Sequence, residues 1–299
     1  MKTKSGIKES FGDRVMNVVV KTILILMVII ICYPCIYVLS SSFSSGKAVS
    51  TGKVLLWPVD FSVLGYEIVF KYKLVWTGYK NTLIYTFVGT AMNIVLTVLA
   101  AYPLSRKNFQ GRNIYMFIFM FTMFFSGGIV PSYILMSKLG LTDTRWAVLL
   151  TGTISVYNMI IMRTYFQNSI PADLFDAARI DGVTDIGYLL RIVIPLSKAI
   201  FAVIILYYAV GHWNAYFNAM LYTRSTELYP LQLVIQGILG ASTIDITQVS
   251  DANMLAQMQY AADLVKYSLI VIAAGPVMVA YPFFSKFFEK GVMIGSVKG

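Results

Sequence analysis

The sequence predicts an all-α integral membrane protein, and three observations carry that expectation. Hydrophobic residues fill 58% of the 299 positions and charged residues only 13%, about half the charged share of an average soluble domain. The mean hydropathy is +0.71, more apolar surface than one aqueous core can hide. Several apolar runs approach the roughly 20 residues that a helix needs to cross a bilayer core of about 30 Å.

The elements follow in order. Residues 1–21 are polar and basic, with Lys2, Lys4, Lys8, Arg14 and Lys21. The apolar run 22–40 comes next. It is longer than the core of a signal peptide and lacks a small-residue cleavage site. It therefore reads as the first span, with Pro34 near its outer end. A Ser-rich polar connection, 41–80, leads to a second span over about 81–104, whose Thr, Gly and Ala suit close helix packing in lipid. The third span, about 114–136, is aromatic and Met-rich and is broken by Gly127-Gly128 and Pro131. The fourth covers about 146–165, the fifth about 199–221 and the sixth about 267–285. The polar segment 222–264 contains Leu231 to Leu239, too short to span and expected as an interfacial or re-entrant helix. The expectation is a single domain over 1–299 with six transmembrane helices.

Six spans put both termini on one side. Fifteen of the 24 Lys and Arg residues fall in the N-terminal tail, the 105–113 turn, Arg163 with the 170–198 segment, and the C-terminal tail. The positive-inside bias therefore places both termini and the 170–198 segment in the cytoplasm.

Composition also excludes functions. The net charge of +10 is spread over span ends and not gathered on one face, which argues against nucleic acid. Cys32 and Cys35 flank Pro34 inside the first span, and there is no third Cys. They read as small apolar residues in a helix, not as a metal or redox site. No P-loop is present: Gly46-Lys47 is followed by Ala48, and phosphate needs G-x-x-x-x-G-K-[ST] before a helix. Asp, Glu, Lys and Arg are absent from the middle of every span, so the usual proton or ion relays are missing. His212, the sole His, is the one ionisable group well inside a span, where packing on a neighbouring helix or a polar cavity outweighs a proton relay. The chain is expected to catalyse no reaction and to bind no cofactor or metal of its own. If it is an active transporter, its energy comes from another chain. Sodium coupling through neutral oxygens, as in an ion-coupled secondary carrier, and a membrane scaffold without transport remain open at this point.

One stretch could receive that energy. Asp173 to Lys198 is the longest charge-bearing island between two apolar spans. Ile170-Pro171 suits a helix start, and Asp173 complements the dipole of the first turn. Leu174, Ala177, Ala178 and Ile180 recur at helical spacing, with Asp173, Asp176 and Arg179 on another face. Asp181-Gly182 should turn the chain out of the helix axis. A second periodic stretch, Ile186, Leu189, Leu190 and Val193, ends at Pro195. The prediction is a helix–turn–helix along the membrane surface, with the Ala pair open to a partner.

Asp176-Ala177-Ala178-Arg179-Ile180-Asp181-Gly182, with Ile194-Pro195 further on, resembles the EAA loop of binding-protein-dependent ABC importer permeases. That pattern reads E-A-A-x-x-D-G, a spacer, an apolar pair and Pro. Asp176 stands for the family Glu, Val183 for a small Ala, and Ala199 for a frequent second Pro. The segments Phe125-Ser126-Gly127-Gly128, Leu139-Gly140-Leu141 and Arg163-Thr164-Tyr165-Phe166 are similar to the LplC/YtcP branch of MalG-type carbohydrate permeases. The resemblance implies a cytoplasmic coupling loop (170–198) between helices 4 and 5. Asp176, Ala177, Ala178, Asp181, Gly182 and Pro195 would meet the ATPase. It also implies a heterodimer with a second permease, two ATPase subunits carrying ATP and Mg, an extracellular solute-binding protein and an oligosaccharide substrate. The location implied is the bacterial cell membrane. A non-sugar solute such as a peptide or polyamine is the alternative cargo.

A sugar path needs aromatic faces and neutral hydrogen-bonding groups. The fifth span holds Tyr207, Tyr208, His212, Trp213, Asn214, Tyr216 and Asn218. Tyr208, His212, Trp213, Asn214 and Tyr216 are the candidates there, with Asn158 in the fourth span. Interface belts use the same aromatic residues.

Overall fold

The computed structural model describes residues 10–241 and 252–296. Lys2, Lys4, Lys8 and Lys298, which enter the charge-bias expectation, lie outside them. Among the described residues the chain is helical, without strands. The helices run α1 Phe11–Ser42, α2 Gly46–Ser50, α3 Leu64–Lys71, α4 Lys73–Ser105, α5 Arg112–Phe124 and α6 Ile129–Lys138. Next come α7 Arg145–Leu150, α8 Val156–Ser169, α9 Ala172–Ile180 and α10 Asp185–Tyr188. A π turn over Leu189–Val193 leads to α11 Ile194–Leu196 and α12 Lys198–Trp213. Last are α13 Phe217–Tyr222, α14 Leu231–Ala241 and α15 Ala252–Ser296.

Two compact units emerge, residues 1–71 with 242–272, and residues 72–241 with 273–299. In the first unit, α1 is apolar from residue 22 on, yet its buried residues are only Ser40, Ser41 and Ser42. The Ser-rich polar connection after it is pinned by hydrogen bonds. Ser40 Oγ donates to the Leu56 carbonyl at 2.6 Å, Val59 N–H donates to Ser44 Oγ at 3.0 Å, and Ser42 shares a 2.8 Å hydrogen bond with Tyr66. Ala48, Val49 and Val54 form a small core with Tyr37, Val59 and Tyr267. Gly46 lies so close to Tyr260 that a Cβ would come within 2.5 Å of its carbonyl oxygen.

In the second unit α4 is the spine. Its Val98, Ala101, Tyr102 and Leu104 join Met159, Met162 and Phe166 of α8 and Ile200, Ile204 and Tyr208 of α12 in one core. In lipid such packing rests on close van der Waals fit and buried hydrogen bonds. Small residues permit the fit: Gly78 faces the Leu231 backbone of α14, and Gly89 faces His212. Arg163 Nε and Gln167 Nε2 of α8 donate to the carbonyls of Leu104 and Ser105, two of the four that a helix C-terminus leaves open.

The spans differ in continuity from the sequence expectation. Among the described residues three stretches are long and apolar enough to cross a membrane: Phe11–Ser42, Lys73–Ser105 and Met258–Phe283. Two bent pairs raise the number to five: α5 with α6, bent by 110°, and Asp185–Leu196 with α12, bent by 84°. The third expected span is thus broken at Gly127-Gly128, where Gly128 has φ +86°, a conformation open chiefly to glycine. The fourth divides into α7 and α8, with Gly152 at φ +76° between them. The fifth ends at Trp213, and α13 follows as a separate helix. Leu231–Leu239 does form a short helix, and its Leu231, Val234 and Ile235 are buried.

The 137–145 connection is clamped to residues 222–225. Asp143 sits at φ +58° and accepts from Arg224 N–H, Ser225 N–H and the Ser225 hydroxyl at 2.9, 2.8 and 2.6 Å. These bonds, the Ser225 hydroxyl foremost, hold its carboxyl below the ordinary aspartate pKa because they favour the charged form.

Candidate coupling site and solute path

The 170–198 island folds as the predicted helix–turn–helix. α9 starts after Pro171, whose backbone (φ −57°) lies at the N-cap, and Asp173 occupies the first turn. The helix ends in a Schellman motif. Val183 N–H donates to the Ala178 carbonyl at 2.9 Å and Gly182 N–H to the Arg179 carbonyl at 3.1 Å. Gly182 has φ +72°, the left-handed position that such a stop requires. Thr184 caps the next helix by accepting from Gly187 N–H at 3.2 Å.

Aromatic and cationic groups fix the island to the end of α4. The Arg106 guanidinium lies 3.7 Å over the Phe175 ring centroid and 5.2 Å over that of Tyr188. Phe175 meets Tyr188 edge-on at 5.1 Å, and Tyr102 Oη donates to the Asp185 carbonyl at 3.2 Å. A cation stacked this closely contributes about 0.5–2 kcal/mol, depending on its desolvation.

The second helix widens before it turns. Pro195 has no N–H for the i−4 bond, and the π turn over Leu189–Val193 directly precedes its helix. π turns of this kind recur at functional sites. Ser197, fully buried, lies at the bend between α11 and α12, so the island continues through one residue into the helix packed along α4.

The predicted coupling residues divide by face. Asp176, Ala177, Asp181, Gly182 and Pro195 are exposed, whereas Ala178 is buried against the unit's own core. Only Ala177 of the pair is therefore open to a partner. Periodicity grouped Leu174, Ala177, Ala178 and Ile180 as one apolar face, but the inward stripe is Phe175 and Ala178, continued by Val183. Ile180 is 87% exposed and Ile186 71% exposed. These two, with Arg106, belong to the site and went unassigned in the sequence. A basic residue after a span looks like any membrane flank. The signal for the isoleucines is their place on either side of a turn.

The solute-path candidates are mostly engaged in helix crossings. Tyr208 Oη is 2.7 Å from Thr97 Oγ1 and accepts from Ser155 N–H at 3.1 Å. Ser155 Oγ in turn accepts from Asn158 N–H, so Tyr208 and Asn158 meet through Ser155. His212 Nε2 lies 3.1 Å from Asn93 Oδ1, while Asn93 Nδ2 points at the Gly152 carbonyl at 3.4 Å. Trp213, 5% exposed, donates from Nε1 to the Ala273 carbonyl at 2.9 Å. Asn214 is exposed and donates to the Val210 carbonyl of its own helix. Tyr216 is exposed just before α13. Among the described residues no group of His, Cys, Asp or Glu could hold a metal.

Known proteins align with this arrangement. The family described as "Binding-protein-dependent transport system inner membrane component" matches residues 83–294. The Bacillus subtilis (strain 168) polygalacturonan/rhamnogalacturonan transport system permease protein YtcP is 36% identical over 290 residues, covering 96% of this chain and 99% of the relative. Protein LplC of the same organism is 36% identical over 266 residues, 89% of each chain. A subunit in the crystal structure of a bacterial ABC transporter involved in the import of the acidic polysaccharide alginate superposes with TM-score 0.84 at 35% identity, covering 94% of this chain and 99% of that one. A fold spined by α4, an exposed helix–turn–helix at its end, and matches over nearly the whole length agree: the chain belongs to the family of binding-protein-dependent transport system inner membrane components.

Proposed function

We propose that this chain forms half of the translocation path of an ATP-driven oligosaccharide importer and couples to separate ATPase chains through the 170–198 loop. The observation that carries this reading is the exposed helix–turn–helix fixed to α4 by Arg106 and joined through Ser197 to α12. A push on Ala177, Ile180, Asp181 and Ile186 would reach the core helices without crossing a flexible linker. Names of the relatives support a saccharide cargo, since YtcP is a polygalacturonan/rhamnogalacturonan permease and AraQ serves arabinooligosaccharides.

In this reading the chain spans the cell membrane six times, with the bent α5–α6 pair and the α7–α8 pair each counted once. Both termini and the coupling loop face the cytoplasm. A second permease completes the path, two ATPase subunits hold ATP and Mg, and a binding protein delivers the sugar from outside. The chain makes and breaks no bonds. Tyr208, His212 and Trp213 set the spacing of the helices that line the path. Asn214 and Tyr216 are the candidates for contact with sugar.

The test is reconstitution of the complete importer with Asp181→Arg or Gly182→Val in this chain. A side chain at φ +72° costs about 1–2 kcal/mol, so Gly182→Val distorts the stop without emptying the core. Both variants should keep at least half of the ATP hydrolysis and lose most uptake, about tenfold or more if the transmitted step is worth about 1.4 kcal/mol. Undiminished uptake in both variants counts against coupling through this loop.

A further inference from the structure

A pocket of about 550 Å³ opens at the N-terminal end of α4, lined by Lys73, Thr77, Lys80, Asn81, Arg145 and Glu227 among others. Lys73, Thr77 and Lys80 follow one another at spacings of four and three, which places them on one helix face. Asn81, 1% exposed, is a positioning residue. Its Nδ2 donates to the carbonyls of Glu227 and Tyr229 at 2.6 and 3.1 Å, and its Oδ1 accepts from Arg145 at 3.1 Å. Arg145 is thereby held at the wall with its remaining N–H groups unspent among the described residues. Three cations face one carboxylate, Glu227, and among the described residues no ion pair neutralises them.

The pocket lies at the far end of the chain's spine from the coupling loop. Thr77 lines the pocket and Tyr102 binds the loop at Asp185. At helical rise the two are about 37 Å apart along α4, more than the hydrocarbon thickness of a bilayer. If the loop meets the ATPases in the cytoplasm, the pocket faces the delivery side.

We propose that this pocket receives the carboxylate-bearing units of an acidic, uronate-containing oligosaccharide at the outer mouth of the path. The inference rests on the importer reading above. The combination fits such a ligand: Lys73, Lys80 and Arg145 answer carboxylates, and Thr77 adds a neutral polar group of the kind that orients hydroxyls. The volume lies within the usual range of small-molecule sites, about 300–1,000 Å³. A neutral sugar would bring no counter-charge to Lys73, Lys80 and Arg145.

The complete importer, reconstituted in liposomes with saturating binding protein, is offered tetragalacturonate or its carboxyl-reduced neutral tetrasaccharide. The wild type should accumulate the acidic sugar in preference. The double variant Lys73→Gln/Lys80→Gln should lower acidic uptake about fivefold to tenfold, with a smaller loss at about 500 mM salt than at about 50 mM salt. Its uptake of the neutral sugar and its affinity for the binding protein should be unchanged. Acidic uptake equal in wild type and variant overturns the proposal. So does a loss that follows weakened capture of the binding protein, which would make the pocket a protein-docking face. Uptake of the neutral sugar alone by the wild type overturns the acidic specificity and leaves the importer reading standing. Absence of ATP-dependent accumulation of either sugar overturns both.

Discussion

Gly89 and His212 meet in close contact between α4 and α12. A Cβ on Gly89 would lie 2.5 Å from the His212 ring atoms Cε1 and Nε2, so the imidazole reaches Asn93 only because residue 89 has no side chain. The imidazole is half-buried, and a side chain at residue 89 would push its ring atoms away from α4. Gly89→Val is therefore expected to break the His212–Asn93 pairing and destabilise the fold by about 1–3 kcal/mol. For a chain of this size that is a drop of about 2–10 °C in the thermal midpoint in detergent. An unchanged midpoint would mean that His212 is not held here. His212 stands out in the sequence as the sole ionisable group well inside a span, where a neighbouring helix or a polar cavity is the favoured explanation. Its partner was not legible, because Asn93 lies 119 positions away and neutral polar residues in spans carry no pairing code. The same holds for Asn81, whose three bonds join segments far apart in sequence.

Among the elements, the 170–198 helix–turn–helix was the most legible. Its stop at Asp181-Gly182 follows from glycine chemistry, and its helix start from Pro171 and Asp173. What the sequence could not give was the facing of α9. In a helix of nine residues several apolar stripes are nearly equivalent, and the choice was made by Arg106, from outside the segment. Arg106→Ala should thus loosen the island without unfolding α4. Limited proteolysis within 170–198 should accelerate by about twofold to thirtyfold, the range set by about 0.5–2 kcal/mol of lost stacking. Arg106→Lys should restore only part of the protection, since an ammonium lacks the planar face that lies on Phe175. Cleavage at the wild-type rate in Arg106→Ala would show that the island is held by other contacts. The π turn and Ser197 were also unforeseen. Pro195 announced a helix disturbance but not that the ladder would widen before it and bend by 84° after it.

For the molecule as a whole, hydropathy located the apolar runs but not their continuity. α1 and α4 are single helices extending well beyond the apolar stretches that betrayed them. The third and fourth runs are divided, because glycines at positive φ let the chain turn where a hydropathy window only averages. Ser42 and Ser44 read as part of a polar connection because serines are loop formers, and Ser40 as the last residue of the first span. Here their hydroxyls bind nearby carbonyls, amides and Tyr66. The second unit is thus a spine helix carrying the 170–198 loop at its C-terminal end and a cationic pocket at its N-terminal end. That polarity can be read by disulfide cross-linking. In a background with Cys32 and Cys35 replaced by Ser, Ala177→Cys is placed on the loop and Lys73→Cys at the pocket, and the complete importer is oxidised with single cysteines placed across the membrane-facing surface of its ATPase subunits. Ala177→Cys should cross-link to the ATPase and Lys73→Cys should not. Cross-linking from Lys73→Cys, or none from Ala177→Cys at any ATPase position, would contradict a coupling loop at this end of α4.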